Sequence, residues 1–202
     1  MAAQLGHDWK PLKKKGEYIG DIECPHLPER MTPRRDRATG GRANPKGIPY
    51  LYLATNRKTA LAEVRPVVGS LISVAQFRTN QTLNLVDCSS DHESSRIYLE
   101  EPEPEKREEA VWADINRAFS SPVTWSEDEA DYVPTQIIAE LFKSRGYGGI
   151  VYRSGLGDGH NVVFFDVDVA GLVNCSLFEA DAVHFNFKQV ADPYFAHSDS
   201  EN

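Results

Sequence analysis

Gly149-Ile150-Val151-Tyr152-Arg153-Ser154-Gly155-Leu156-Gly157-Asp158-Gly159-His160-Asn161-Val162-Val163-Phe164-Phe165 is the stretch on which the fold turns. Glycines behind an apolar run first suggest a phosphate loop. In a dinucleotide-binding βαβ unit, however, a helix follows the glycines, so that its N-terminus meets the pyrophosphate. Here the residues after the last glycine are β-branched and aromatic, which predicts a second strand. The expectation is therefore a β-hairpin, with strands over Gly149–Arg153 and Asn161–Phe165.

Working outward, Pro134 to Arg145 is the best helix. Ile137, Ile138, Leu141 and Phe142 form one stripe, Pro134 stands near the start and Gly146 follows the end. Glu105–Phe119 predicts another helix, with Ala110, Val111, Ile115, Ala118 and Phe119 at helical spacing. Tyr50–Ala54 predicts a strand, and Lys58–Arg65 a short helix that Pro66 ends. Ser70–Phe77 and Thr82–Val86 are β-rich and look like a hairpin; Gly171–Phe178 and Ala182–Phe187 are also β-like. Asp87–Glu105 is polar and turn-rich, Ser120–Asp131 is an acidic loop, and His197–Asn202 is a polar tail. Strand, helix, strands, helices, strands is an α+β order rather than a doubly wound one. The expected organisation is an irregular arm over 1–30, one domain over 31–190 and a polar C-terminal tail over 191–202.

Across 202 residues the formal charge is -8, and 41% of side chains are apolar. That is a globular composition, in a chain long enough to bury roughly 70% of its unfolded surface without a disulfide or metal. No apolar run approaches the ~20 residues of a membrane span, and Met1–Lys15 lacks the apolar core of a secretory signal. Cys24, Cys88 and Cys175 are widely spaced, with no C-x-x-C pair, so a reducing cytoplasm is the expected compartment. The six histidines show no H-x-H or H-E-x-x-H spacing, and no metal is expected. No G-x-S-x-G elbow supports serine acyl transfer.

Charge is unevenly spread. Residues 1–60 hold twelve basic and six acidic side chains, the remainder ten and twenty-four. An acidic chain makes a poor nucleic-acid binder, whereas its basic third can hold a small anion. Within that third, Gly41-Arg42-Ala43-Asn44-Pro45 precedes the strand bearing Tyr52, and Glu63 follows on the short helix, at the border of its apolar face. Each has a bland alternative: Tyr52 as a core aromatic, Arg42 as a loop charge, Glu63 as a surface acid.

Taken in order, Gly40–Gly47, Tyr50–Ala54, Thr59–Pro66, Thr135-Gln136, Gly148–Ser154 and Gly159–Phe165 resemble the RES domain family, over roughly residues 40–166. The resemblance implies an ADP-ribosyltransferase-like fold, a split β-sheet with flanking helices around a central cleft that holds NAD as substrate. It also implies a toxin that consumes NAD or transfers its ADP-ribose, restrained by an Xre-type antitoxin. Carried onto this sequence, it makes Arg42, Tyr52, Glu63 and Ser154 the catalytic candidates, with Asn161 beside them in dinucleotide binding. Family members carry a further Arg upstream of the Gly-Arg motif. Tyr18-Ile19-Gly20-Asp21 has none, which leaves Arg34, Arg35 or Arg37 to replace it. Arg42 suits the diphosphate, Tyr52 the nicotinamide or ribose, Glu63 the ribose hydroxyls and the developing positive charge. Three outcomes stay open: NAD glycohydrolase or phosphorylase, protein ADP-ribosyltransferase, and a catalytically silent nucleotide-binding module. Oligomeric state is not indicated.

Overall fold

The computed structural model describes residues 1–89, 103–121, 129–184 and 186–192. The chain runs β1 (Ala2–Leu5), β2 (Asp8–Lys14), β3 (Glu17–Cys24), α1 (Pro28–Met31), β4 (Leu51–Ala54), α2 (Arg57–Glu63), β5 (Leu71–Thr79), β6 (Leu85–Asp87), α3 (Pro104–Ser120), α4 (Val133–Ser144), β7 (Gly149–Arg153), β8 (His160–Phe164) and β9 (Ala170–Glu179). Pairing sorts the strands into sheets of order β4-β8-β7-β6, β1-β5-β9 and β2-β3. The predicted hairpin forms: β7 and β8 pair antiparallel, with Ile150 opposite Val163 and Tyr152 opposite Asn161. The split-sheet α+β class is the one expected.

Alternation along the four-stranded sheet builds two cores. Tyr50, Ile150, Tyr152, Val163 and Phe165 face one side, where Phe119 of α3 and Ala139 of α4 close over them. Leu51 and Phe164 face the other, packed with Val167, Val169 and Ala170 and against Phe77 of β5. Ile150 and Val163 are fully buried, and burial of such a side chain is worth about 1.5–3 kcal/mol.

Several expectations fail for physical reasons. Residues 1–30 are not irregular. β1 pairs with the edge of β5, and β2 pairs with β3 in a separate two-stranded ribbon. The ribbon leaves Trp9, Tyr18 and Ile19 exposed, so no buried face imposes a period-two pattern on the sequence. The Ser70–Phe77 and Thr82–Val86 segments do not form a hairpin. β5 joins β1 and β9, whereas β6 runs parallel to β7 in the other sheet. The described residues of 182–187 carry no strand. On α4, Thr135 and Ala139 are buried and Ile138 and Phe142 pack on the core, which turns Ile137 (65% exposed) and Leu141 (52%) outward. Of the polar stretch Asp87–Glu105, the acidic loop Ser120–Asp131 and the tail over 191–202, residues 90–102, 122–128 and 193–202 lie outside the described residues.

Candidate functional site

The site is assembled where α2 meets the β7–β8 turn. Asn56 caps α2, its side chain accepting from Thr59 N at 2.8 Å. Buried Thr59 in turn accepts from Gly159 N at 3.0 Å, and Thr55 accepts from His160 N at 3.0 Å. These bonds fix the direction of α2 relative to the hairpin. The helix ends at Glu63, two residues before Arg65 adopts a left-handed φ of 46°. Pro66 follows, so the helix has no continuation.

Glu63 is held by the hairpin. Ser154 Oγ donates to Glu63 Oε1 at 2.6 Å and Asn161 Nδ2 donates to the same oxygen at 2.7 Å. Ser154 Oγ also accepts from Leu156 N (3.1 Å) and Gly157 N (3.0 Å), so one hydroxyl shapes the turn and aims the carboxylate. Glu63 Oε2 makes no hydrogen bond among the described residues. Ser154, Asn161 and Glu63, far apart in sequence, are thus brought together. Glu63 itself stays exposed rather than at a desolvated border, so exclusion of water from it falls to a ligand. A carboxylate at a helix C-terminus also opposes the helix dipole. Two donors on one oxygen offset that cost.

A pocket of about 160 Å³ opens beside Glu63, walled by Ala2 and Ala3 of β1, Tyr52, Ala60, Tyr152 and Asn161. A second, of about 60 Å³, lies on its other flank, with Arg42, Arg65, Phe119, Tyr152 and Leu156. Tyr152 lines both and was not singled out by sequence. Its signal was the period-two alternation with Ile150, which speaks equally for core packing.

Arg42 reaches this second pocket, but its guanidinium is engaged. It donates to the carbonyls of Ala118 (3.2 Å), Phe119 and Ser121 (2.6 Å), satisfying the orphan acceptors at the end of α3. Tyr52 is similarly committed. Its hydroxyl donates to Asn44 Oδ1 at 2.7 Å and accepts from Ala43 N at 2.9 Å. A Cβ on Gly41 would come within 2.9 Å of that hydroxyl, which is why glycine stands there. Thr135 Oγ1 donates to Arg42 O (2.6 Å), and Gln136 Nε2 to Gly41 O (2.9 Å), so the start of α4 clamps the same loop. Arg34 pairs with Asp36 at 2.8 Å, Arg37 approaches the same carboxylate at 3.7 Å, and Arg35 pairs with Asp168. Arg35 is therefore turned to the residues after β8, and Arg34 and Arg37 line a separate pocket with Tyr50 and Tyr52.

Burial pushes the Tyr52 phenol up to about 12, and burial also raises Tyr50 and Tyr152. The ordinary phenol ionises near 10, so between pH ~10 and ~12 the unfolded chain loses this proton while the folded chain keeps it. The unfolded state then binds fewer protons, and stability falls as pH rises. For Tyr52 alone the loss across that window is roughly 2–3 kcal/mol. Urea unfolding is expected to show lower stability at pH 11 than at pH 8, with a further rise in absorbance at 295 nm on unfolding at pH 11 as the buried phenols ionise; the absence of that rise refutes it.

The fold is of the α+β class, and the family that the chain matches is ADP-ribosyltransferase-like. The chain matches the RES domain family over residues 22–187, and it belongs to that family. The family is associated with NAD-utilising enzymatic toxins of toxin–antitoxin pairs. No match to this chain was found among curated proteins or among solved structures. Among the described residues, no helix is long and apolar enough to cross a membrane, and no three His, Cys, Asp or Glu side chains gather as a metal site would require.

Proposed function

We propose that the protein consumes NAD by breaking the bond between nicotinamide and ribose. The observation that carries this reading is the Glu63 carboxylate, held through one oxygen by Ser154 and Asn161, with its other oxygen making no hydrogen bond among the described residues, beside a pocket walled by Tyr52 and Tyr152. In the reaction the C1′–N1 bond breaks and its electron pair leaves with neutral nicotinamide. The leaving group is cationic beforehand, so no general acid is needed. The ribose gains oxocarbenium character, and a fixed carboxylate beside it stabilises the transition state more than the ground state. Ser154 and Asn161 act as positioning residues for Glu63. Tyr52 and Tyr152 offer aromatic surface to nicotinamide and ribose. Arg42 secures the wall of the site by holding the end of α3. The acceptor oxygen closes on C1′: water loses a proton to solvent as it does so, whereas phosphate attacks through an oxygen that is already anionic, which makes the protein a glycohydrolase or phosphorylase. Three unpaired cysteines suit a reducing cytoplasm, and an Xre-type antitoxin is the proposed restraint.

Purified protein incubated with NAD, with and without phosphate, is expected to release nicotinamide, with products resolved by mass. ADP-ribose marks hydrolysis, ADP-ribose 1″-phosphate marks phosphorolysis, and a mass increment on protein marks transfer. Intact NAD at high enzyme, in protein shown to be folded, leaves only a silent nucleotide-binding module.

A further inference from the structure

The β2–β3 ribbon has no part in the chemistry just described. β2 and the start of β3 also precede residues 22–187, the part of the chain that matches the family. Among the described residues the two strands pair only with each other. A two-stranded ribbon left alone in water is marginally stable. Opposed residues of an antiparallel pair share a face, so the register sorts the side chains. Trp9 stands opposite Glu23, Pro11 opposite Asp21 and Lys13 opposite Tyr18. Between Leu12 and Lys13 the register shifts past Ile19, which keeps Tyr18 and Asp21 on one side; the Tyr18 hydroxyl donates to Asp21 Oδ2 at 2.9 Å. All six of these residues are exposed, Trp9 and Tyr18 at 61% each. On the reverse face Asp8, Gly20, Ile22 and Cys24 are partly covered. The bare face is thus the one that carries the two aromatic rings, and Trp and Tyr are the residue types that anchor protein interfaces.

We infer that this face of the ribbon binds a second copy of the chain, packed on itself about a twofold axis. A twofold contact must be self-complementary, and this face is. Its charges are Glu23 at the base, Asp21 in the middle and Lys13 toward the turn, and Tyr18 already partners Asp21. Two such faces laid antiparallel and crossing at Pro11 bring Lys13 of each copy to Glu23 of the other, and Tyr18 of each to Trp9 of the other. Within one copy Lys13 and Glu23 do not meet, because four residues of strand, about 14 Å, lie between them. Glu23 instead approaches His7 Nε2 at 4.0 Å, and the His7 ring meets Trp9 edge-on at 5.0 Å, which fixes the base of the face. Asp21 and Glu23 beside the aromatic rings oppose an anionic lipid surface as the occupant. A face two strands wide and seven residues long spans roughly 24 Å by 10 Å. That is less than a permanent dimer buries, so the dimer forms and dissociates with concentration, with a Kd in the micromolar range.

Sedimentation velocity of the full chain at low salt, from about 1 to about 300 μM, tests the contact. The wild type is expected to pass from monomer to dimer across that range. W9S, K13E and E23K are each expected to raise the Kd by about tenfold or more, since the twofold axis repeats every substitution. All three positions are exposed, so melting temperatures are expected to stay unchanged. K14E makes the same charge change beside the turn but on the reverse face, opposite Glu17, and is expected to leave the Kd as it was. An equimolar mixture of K13E and E23K is expected to associate again, because each pair across the axis then joins opposite charges. A wild type that stays monomeric overturns the inference, even where vesicles of anionic lipid capture it through Trp9. So does a dimer that W9S leaves intact, a K14E loss equal to that of K13E, or a mixture that fails to recover.

Discussion

Glu63→Gln is expected to yield a folded protein whose turnover of NAD falls by about 100- to 1000-fold, the loss of one transition-state interaction of roughly 3–4 kcal/mol. The substitution isolates charge from geometry. A Gln side-chain oxygen still accepts from Ser154 Oγ and Asn161 Nδ2, so the hairpin stays tied to α2. What disappears is the negative charge facing the ribose. Because that charge sits at the last residue of α2, against the helix dipole, its removal is expected to leave stability equal or raised by up to about 1 kcal/mol. Rate and stability thus move in opposite directions, which a folding defect does not produce. The fall belongs in kcat, with KM little changed, since the interaction strengthens only as C1′ gains charge. Steady-state nicotinamide release and a urea melt on the same preparation check both halves. A near-normal kcat removes Glu63 from the mechanism.

Gly149→Ala is expected to cost at least about 3 kcal/mol, the upper end for forcing an atom into a packed core. Gly149 lies between two strands, opposite Phe164 of β8 and Leu85 of β6. A Cβ built there lies 2.2 Å from the Val163 carbonyl oxygen and 3.2 Å from Leu85 Cδ2. A backbone carbonyl in a paired strand cannot swing aside as a side chain can. β7 would have to leave one neighbour, and β7 and β8 carry Tyr152 and Asn161 into the site and support the turn bearing Ser154. For a chain of this size the cost corresponds to roughly 6–12 °C in Tm. Gly171→Ala is the matched control: it is also a strand glycine, with nothing within 4 Å of its added Cβ. Its Tm is expected to stay within a degree or two. Equal melting of the two variants would refute the steric account.

The β7–β8 hairpin, the α2 turn and the long helices were legible in sequence because each is local. Apolar spacing, Pro134 and Pro66, and Gly146 all lie within the elements they define or bound. Residues 40–166 also carried the family resemblance, and with it Arg42, Tyr52, Glu63, Ser154 and Asn161. What each of these side chains touches was not legible. Arg42 holds the end of α3, over 70 residues away, and Tyr52 holds the Gly41–Asn44 turn. Either residue type suits a ligand equally well, so composition does not choose. Nor did the stripe on α4 reveal which half faces in; that depends on β7 and the loop it clamps.

By itself, then, the sequence determined the α+β class and the hairpin, since periodicity, prolines and glycines act through their immediate neighbours, while Glu63, Ser154 and Asn161 were reached only through the family resemblance. The tertiary structure alone decided that β6 runs parallel beside β7, that β1 borders the pocket, that Glu63 shares one oxygen between two donors, and that Arg34 and Arg42 stand in separate pockets. Those are contacts between segments distant in the chain. They are set by which edge and which face each segment can bury, and a local pattern does not encode that choice.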